Sequence, residues 1–266
     1  MRFRFLPIGI FLLLLPLPAN ASIFGVLNGL RLKGGVAWND LESSLRYDKN
    51  NIDGTKIDLD TDLDMENNDL VPFFEILIGR KYKFLFGYME ANYKGKTTRY
   101  QPLVYDGLTL VSTTPKEVIS RLQLRTMDFA FYYSIGRPTA RVQMMGIIGG
   151  LYFRHKNRIF TSEAGSSNSE EAFIPYVGME LEFYLLRYLS ISGRIRGLQY
   201  SWKISDVDEL NYFEGEIGIG LHLGRAIGFY VQYRYRQLDL DKSSSSQRSE
   251  FASRLNGAVF SLILHF

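Results

Sequence analysis

Five carboxylates occupy every second position of a short segment and form the densest group of potential metal ligands in the chain. Oxygen-rich clusters of this kind suit Ca²⁺, but an EF-hand-type loop would need Gly where Leu63 stands and Glu where Asp69 stands. Acidic side chains two residues apart along a strand point in parallel and do not converge on an ion. We therefore interpret the segment as a loop strand with a solvated acidic face. Its weak metal candidates are Asp58, Asp60, Asp62 and Asp64, which Glu66 follows.

The histidines His155, His222 and His265 are the remaining candidates for acid–base or nucleophilic chemistry. Ser162 is the serine nearest to His155 and could serve as its nucleophile, although a histidine that faces water is the simpler interpretation. The chain has no cysteine, and it contains no phosphate-binding loop, HExxH or GxSxG motif. From the sequence we therefore predict that the protein is not an enzyme and has neither catalytic residues nor a bound cofactor.

The overall composition narrows the class of protein. Among 266 residues, 31 Lys and Arg stand against 28 Asp and Glu, which gives a net charge of +3. No run of basic residues accompanies this small excess, so we expect no nucleic-acid partner. Abundant aliphatic and aromatic residues exclude a disordered or collagen-like chain. The absence of cysteine excludes a disulfide scaffold and a thiolate metal site.

The first 21 residues have the three-part layout of a secretory signal peptide. Arg2 and Arg4 give a basic start, residues 5–17 are apolar, and Ala19-Asn20-Ala21 supplies the small residues of a cleavage site. Three prolines in this region disfavour an uncleaved transmembrane helix. We predict a signal peptide over 1–21, cleaved after Ala21, and one domain over 22–266.

The rest of the chain alternates between apolar and polar residues with a period of two, as strands with one apolar face do. In one example, Phe229, Val231 and Tyr233 alternate with polar or small residues. After Ala21 no charge-free run exceeds twelve residues, which is too short for a transmembrane helix. Ten strands are predicted, over 30–48, 70–79, 83–95, 121–135, 140–155, 171–186, 189–204, 209–223, 227–238 and 251–266.

The connections between these segments alternate in length. Transmembrane barrels show this asymmetry, with short periplasmic turns, longer extracellular loops and an even number of strands. The sequence therefore predicts an all-β, antiparallel transmembrane β-barrel of ten strands, within a range of roughly 8–12, with both termini periplasmic. The short connections lie near 80–82, 136–139, 187–188 and 224–226, and the long or polar ones near 49–69, 96–120, 156–170, 205–208 and 239–250.

The last segment places Ala258, Phe260, Leu262 and Leu264 on one face and ends the chain on Phe266. With the leader and the loop asymmetry, this ending resembles Gram-negative outer-membrane β-barrel proteins as a class, without pointing to one family within it. The resemblance implies an outer-membrane location, contact with membrane lipid and lipopolysaccharide, and a monomer. It also implies that Phe266 belongs to the signal that the barrel assembly machinery recognises. Phe266 would in addition anchor the barrel at the periplasmic interface.

Charges on the predicted inward faces alternate in sign from one strand to the next. If residues 223 and 227 pair across their short turn, the residue numbers of each opposed pair on these two strands add up to 450. This register predicts the ion pairs Glu216–Arg234 and Glu214–Arg236. Opposite charges on cross-strand neighbours stabilise a sheet, whereas like charges do not.

In the predicted strands 171–186 and 189–204, a register in which paired residue numbers add up to 376 predicts the pairs Glu182–Arg194 and Glu180–Arg196. The eight charges then form a salt-bridged core, and a barrel of about ten strands encloses little more than the space that side chains fill. We favour a mostly closed lumen, with a charged ion pathway as the alternative. The predicted lumen residues are Glu180, Glu182, Arg194, Arg196, Glu214, Glu216, Arg234 and Arg236.

Two kinds of local structure are predicted in the long connections. Residues 103–110 have the pattern of a hairpin on an Asp106-Gly107 turn, which we expect to extend its flanking strands beyond the membrane. The serine-rich stretches 161–171 and 242–249 are typical of solvated, mobile loops.

These features favour a small integral outer-membrane protein without catalysis, with a structural role in the envelope or a role in surface interaction. A narrow, porin-like channel for small solutes is the alternative, and a gap in the charge ladder would favour it. An outer-membrane hydrolase is a second alternative. It would need His–Ser or His–Asp at the outer rim, and the Asp-x-His pattern of omptin-type barrel proteases does not occur.

Overall fold

The computed structural model describes residues 29–50, 52–65, 70–112, 114–135, 141–201, 207–224, 226–244 and 247–266. The predicted signal peptide lies outside these residues. Within them, no helix is long and apolar enough to cross a membrane. The strands are β1 (Leu30–Lys49), β2 (Ile57–Asp58), β3 (Leu70–Gly79), β4 (Tyr82–Arg99), β5 (Leu103–Tyr105), β6 (Leu108–Val111), β7 (Lys116–Ile135), β8 (Val142–Phe160), β9 (Gly165–Leu186), β10 (Leu189–Tyr200), β11 (Val207–Leu223), β12 (Ile227–Ser243) and β13 (Gln247–His265).

Ten of these strands close into one antiparallel barrel. They pair in the order β1, β3, β4, β7, β8, β9, β10, β11, β12 and β13, and β13 returns to β1. The closing pair runs from Arg31 opposite His265 to Lys49 opposite Gln247. Closure removes the free edges of the sheet, so every barrel strand has two partners. The predicted ten-stranded antiparallel barrel is confirmed.

The two ends of the barrel differ in their connections. At one end, which we term the turn end, Arg80 and Lys81 join β3 to β4, and Arg187 and Tyr188 join β9 to β10. At the opposite end, the loop end, residues 50–69 separate β1 from β3. Both termini of the barrel, at β1 and β13, lie at the turn end.

An apolar belt surrounds the outer wall toward the turn end. Phe229, Val231 and Tyr233 of β12 point outward, and each is about half exposed. Large apolar side chains continue around the wall on the other barrel strands, which is more contiguous apolar surface than soluble monomers expose. This wall suits a hydrocarbon solvent. Exposed aromatic residues near its borders include Trp38, Tyr82, Tyr133, Tyr188 and Phe266.

The polarity of the two faces exchanges partway along the strands. Beyond Tyr235 in β12, the outward residues become Gln237 and Asp239, while the inward Leu238 and Leu240 are buried. Water replaces lipid outside the belt, so apolar side chains turn inward there. The loop-end part of the barrel therefore has an apolar interior, and the turn-end part has a polar one.

The predicted hairpin on Asp106 and Gly107 is present, but its course differs from the prediction. Both residues have positive φ, 53° and 76°, as a two-residue turn of the primed type requires. β5 and β6 form a separate two-stranded sheet rather than extending β4 and β7. The side chain of Asp106 accepts hydrogen bonds from Lys49 Nζ at 2.9 Å and Ser166 Oγ at 2.8 Å. Leu103 and other apolar residues of this lid, β5–β6, are buried, which holds the lid inward.

The acidic segment turns instead of continuing as a strand, so its predicted conformation is wrong. The amide of Asp62 donates to the carbonyl of Asp58 at 2.9 Å, and the Asp58 side chain accepts from the amides of Asp60 and Thr61. The buried side chains of residues 59 and 63 explain the turn, because both must face the interior. Among the described residues, no group of three or more His, Asp or Glu is arranged to hold a metal ion.

The serine-rich stretches are also more ordered than predicted. β8 and β9 continue to a tight connection in which the amide of Thr161 donates to the carbonyl of Ala164 at 2.7 Å. β12 ends at Ser243 and β13 begins at Gln247. Ladder hydrogen bonds do not depend on side-chain type, and alternate serines such as Ser249 face the interior.

Candidate functional site

Two rows of alternating charge cross three neighbouring strands inside the turn-end half of the barrel. The register of β11 and β12 places Glu216 opposite Arg234, which is the sum of 450 that the sequence predicts. The register of β10 and β11 places Arg194 opposite the same Glu216, on its other side. Arg194 Nη2 lies 2.9 Å from Glu216 Oε1, and Arg234 Nε bonds to that oxygen as well.

The second row repeats the arrangement one step further along the strands. Glu214 lies between Arg196 of β10 and Arg236 of β12. Arg196 Nη2 approaches Glu214 Oε1 to 2.7 Å, and Arg236 Nε bonds to Glu214 Oε2. Glu214 is completely buried, so these two cations supply its charge neutralisation.

The predicted pairs between β9 and β10 are wrong, because the two strands pair with a sum of 374. Arg194 stands opposite Glu180 instead of Glu182. Leu189 pairs with Leu186 across the turn, which gives a sum of 375. A β-bulge between Leu189 and Ser190 lowers the sum by one more, since Ser190 pairs with Tyr184. A shift by two residues keeps each side chain on its face, so the charges still point inward.

The displaced carboxylates have other partners. Glu180 lies 3.8 Å from Arg31, which reaches it from β1 on the far wall. Glu182 accepts hydrogen bonds from Ser190 Oγ at 3.0 Å and from Tyr230 Oη at 2.7 Å. The predicted lumen residues thus lie together inside the barrel, and the network includes partners from strands that the predicted pairs did not involve.

Contacts across the lumen join the charged rows to the opposite wall. Arg196 bonds to Asp128 of β7, and the hydroxyl of Tyr176 donates to the same carboxylate. Glu75 of β3 lies 3.5 Å from Arg194 and 3.6 Å from Lys33. Alternation predicts the inward direction of these residues, but it carries no information on contacts between distant strands.

Very little empty space remains among these side chains. A cavity of about 30 Å³ lies beside Glu75, Arg194 and Glu216. This volume is enough for about two water molecules. Toward the loop end, the buried apolar residues and the lid fill the interior. The lumen is therefore occupied by a charged layer and an apolar layer, one above the other.

His222 lies in a second polar group near the turn end. Its Nε2 atom is 2.9 Å from Ser190 Oγ and 3.7 Å from Glu182. A catalytic triad needs the acid on the other ring nitrogen, where it orients the base, but here serine and carboxylate approach the same nitrogen. Ser190 is completely buried, so its hydroxyl has no access to a substrate. The group is a hydrogen-bonded filler of the lumen.

His155 is buried, contrary to the predicted position facing water. Beyond Tyr152 the charged neighbours Arg154 and Lys156 point outward, so His155 points into the apolar loop-end interior. Its Nε2 atom lies 2.6 Å from Tyr47 Oη, and its ring stacks on Phe251 with 4.3 Å between centroids. Burial lowers the pKa of His155 to about 3.

Neither partner needed for hydrolysis accompanies His155. Ser162 lies exposed in the connection between β8 and β9, whereas the His155 ring contacts buried aromatic residues. His265 lies at the turn end, opposite Arg31. No described histidine is therefore placed with a serine or an aspartate at the loop-end rim.

Phe266 lies at the point where the barrel closes. Its amide donates to the carbonyl of Leu30 at 2.9 Å, and its carbonyl accepts from the amide of Gly29 at 2.9 Å. About half of its side chain is exposed at the turn end.

Comparisons with known proteins identify the fold and no family. No family model matches the chain, and no curated protein matches it. The outer-membrane protease OmpT from Escherichia coli is similar in structure, with a TM-score of 0.54 and 10% identity, over 89% of this chain and 97% of that one. The translocator domain of the autotransporter NalP from Neisseria meningitidis aligns with a TM-score of 0.44 and 12% identity, over 90% of this chain and 88% of that one. The predicted resemblance to Gram-negative outer-membrane β-barrels is confirmed for the fold.

Proposed function

We propose that the chain is an integral outer-membrane protein whose barrel is sealed and non-catalytic, and whose role is structural or lies in surface interaction. The observation that carries this proposal is the filled interior. The charged rows around Glu214 and Glu216 occupy the lumen at the level of the belt, and the apolar layer and lid close it toward the loop end. The belt and the fold support the outer-membrane location, and the loop asymmetry supports an outward-facing loop end.

Conductance in planar bilayers tests the sealed lumen. We expect no steady open current from the wild type, because the cavities beside the charged rows measure only about 30 Å³ and 20 Å³. An Arg196→Ala/Asp128→Ala variant removes the bond across the lumen and should raise the frequency of brief openings. Large, steady wild-type channels would reject this function in favour of the porin-like alternative.

The same preparation tests the absence of catalysis. We expect no hydrolysis of peptide or phospholipid substrates, since neither His155 nor His222 has an accessible nucleophile beside it. Hydrolysis that disappears in a His155→Gln or His222→Gln variant would replace this proposal with the hydrolase alternative.

The terminal strand supports assembly by the barrel assembly machinery. Phe266 contributes two backbone hydrogen bonds to closure and an exposed ring at the turn end. Phe266→Ala keeps the backbone bonds and removes only the ring. We therefore compare how much the variant loses in membrane insertion in cells and in refolding in detergent. A larger loss in cells would measure recognition of the ring by the assembly machinery. Equal losses in both experiments would reject the assembly role.

A further inference from the structure

A row of positive charges crosses the outer wall between the belt and the loop end. Lys94 of β4 stands opposite Arg121 of β7, and Arg121 stands opposite Arg158 of β8. All three side chains point outward and are exposed. Among the described residues, no carboxylate lies within ion-pair distance of these three, which we term the cation row. Like charges directly opposite each other destabilise a sheet, so the isolated barrel loses stability that a partner of opposite charge would restore.

A row of negative charges crosses another part of the outer wall. Glu209 of β11 stands opposite Asp241 of β12, and Asp241 stands opposite Glu250 of β13. We term these three carboxylates the acid row, and with Asp239 they line a groove of about 300 Å³. Within the described strands, the ion pairs of the acid row come from Arg248 alone, which lies 3.0 Å from Asp241 and 3.2 Å from Glu250. The acid row therefore keeps an excess of negative charge.

The two rows lie on opposite sides of the barrel. In the closed order of ten strands that begins with β1, β7 is the fourth strand and β12 is the ninth. Five steps therefore separate the centres of the two rows in either direction around the ring. One wall of the barrel is cationic, the opposite wall is acidic, and the barrel carries a dipole in the plane of the membrane.

The two rows also stand at the same height above the belt. Lys94 follows Tyr88, the last outward aromatic residue of β4, by six residues. Asp241 follows Tyr235, the last outward aromatic residue of β12, by the same number. Six residues span about 20 Å along a strand. Because the membrane aligns the belts of neighbouring barrels, the acid row of one copy faces the cation row of the next without a change of depth.

The belt beneath the two rows has complementary shapes. Below the cation row lies a groove of about 710 Å³ that is lined almost entirely by apolar residues, Phe86 among them. Below the acid row, Tyr233 points outward from β12 and is 53% exposed. Phe86 is two residues below Tyr88, and Tyr233 is two residues below Tyr235. A projecting aromatic ring on one wall therefore matches the height of a groove on the other.

We propose that the chain associates with further copies of itself in the membrane plane, with the acid row of one barrel on the cation row of its neighbour. This inference rests on the proposed function, because it names the partner of the surface-interaction role. The two contacting walls differ and lie on opposite sides, so the contact is head to tail and leaves one free wall at each end. Copies therefore form open linear arrays, in which each copy remains a complete barrel.

Cross-linking in phosphatidylcholine vesicles tests this geometry, because that lipid has no net charge. Gln123 lies two residues from the cation row and Ala252 two residues from the acid row, both nearer to the belt. With a short bis-maleimide reagent, Gln123→Cys/Ala252→Cys should give a ladder of dimers, trimers and longer products. Each single cysteine variant should stay monomeric. Equal cross-linking of a single variant would place like walls together and overturn the proposal, as would a double variant that gives only monomers.

Charge reversal in the same double-cysteine protein tests whether the rows cause the association. The cation-reversed and acid-reversed variants should each reduce the cross-linked fraction at least about fivefold, because the contact then joins like charges. Mixing the two variants should restore the ladder, since each wall again meets the opposite charge. The variants are Lys94→Glu/Arg121→Glu/Arg158→Glu and Glu209→Lys/Asp241→Lys/Glu250→Lys.

The matched control is Arg80→Glu/Lys81→Glu/Arg187→Glu, which reverses three exposed cations at the turn end and should leave the ladder unchanged. An equal loss in this control, or a loss that mixing does not repair, would overturn the proposal as a general effect of charge or of misfolding. Loss in the cation-reversed variant alone would show that a different anion covers the cation row, and would overturn it as well.

Salt separates the charged contact from apolar aggregation. Raising the salt concentration from about 0.1 M to about 1 M shortens the Debye length from about 10 Å to about 3 Å, so the ladder should weaken. A ladder that resists salt and disappears only in Tyr233→Ala would assign the contact to the belt and contradict the role of the rows. A monomeric protein that inserts and does not conduct would refute this inference alone, whereas steady conductance would reject the proposed function instead.

Discussion

Arg196 of β10 crosses the lumen and bonds to Asp128 of β7, two strands that share no ladder. Ion pairs such as Glu216–Arg234 link neighbouring strands. The Arg196–Asp128 bond instead joins strands that β8 and β9 separate, and Tyr176 supports it by donating to Asp128 and accepting from Arg196 at 3.1 Å. Together with the Glu75–Arg194 and Arg31–Glu180 contacts, it closes the lumen at the level of the belt.

A double-mutant cycle on Asp128→Asn and Arg196→Gln should show strong coupling. Each single change leaves a buried charge without one of its partners, so the free energies of unfolding should couple by about 1–3 kcal/mol. The exposed pair Glu42 and Arg254, 3.9 Å apart, is the control and should couple by less than about 0.5 kcal/mol. Urea unfolding from lipid vesicles measures both, and additive losses at Asp128 and Arg196 would refute the closing role.

Engineered cysteine pairs can test the bulged register of β9 and β10. The chain has no cysteine of its own, so no native thiol can form a competing disulfide. Ile191 pairs with Phe183 on the lipid-facing wall. The double variant Ile191→Cys/Phe183→Cys should form a disulfide, since opposed residues have suitable Cα separations. The pair Gly193→Cys/Phe183→Cys, which the 376 register would oppose, should remain reduced. The reverse pattern on non-reducing gels would contradict the observed register.

The carboxylate of Asp106 should control opening of the lid. Asp106→Ala loses bonds from Lys49 and Ser166 that connect the lid to the barrel rim. A loss of about 1 kcal/mol should raise the open population about fivefold, and protease cleavage within residues 100–112 should rise with it. Glu163→Ala removes an exposed loop-end carboxylate and is the control. Unchanged cleavage in Asp106→Ala would show that apolar packing alone holds the lid.

His155 should make the barrel less stable in acid. Its pKa is lowered to about 3 by burial, against 6.5 in the unfolded chain. The unfolded state then binds more protons, so this contribution is complete above pH 6.5 and is lost as the pH falls toward 3. At pH 5 the loss is about 2 kcal/mol.

The matched variant for this pH dependence is His155→Gln, which cannot titrate. It should lose the ring stacking on Phe251 at every pH, yet its unfolding free energy should change less between pH 7 and pH 4 than that of wild type. Glu170, whose pKa burial raises, stays the same in both proteins and cancels in the comparison. Parallel pH profiles would show that His155 does not titrate as its burial requires.

Alternation predicts which residues share a face, and in this chain it predicts the strands well. The segment 70–79 coincides with β3, and the 450 register follows from one short turn. Alternation does not indicate which solvent a face meets. It therefore cannot show that His155 is buried, because above the belt the apolar face of the strand is the inner one.

The remaining differences arise from contacts that no local pattern encodes. The pairing of Leu186 with Leu189 at the turn and the one-residue bulge beside it together move the charges of β9 by two positions from the predicted register. An outward row of three cations on neighbouring strands escapes sequence-based prediction for a similar reason. Lys94, Arg121 and Arg158 are far apart in the chain, and only the registers of β4, β7 and β8 bring them into line.

The exchange of polarity along the strands also fixes how deep the barrel sits. A shift toward the loop end would draw the outward surface around Tyr233 out into water. A shift the other way would push Gln237 and Asp239 into hydrocarbon. Both displacements are unfavourable, so the height of the apolar belt sets the hydrocarbon thickness that the barrel prefers. A thicker or thinner bilayer must then adapt to the barrel, since a closed sheet has few ways to change its height.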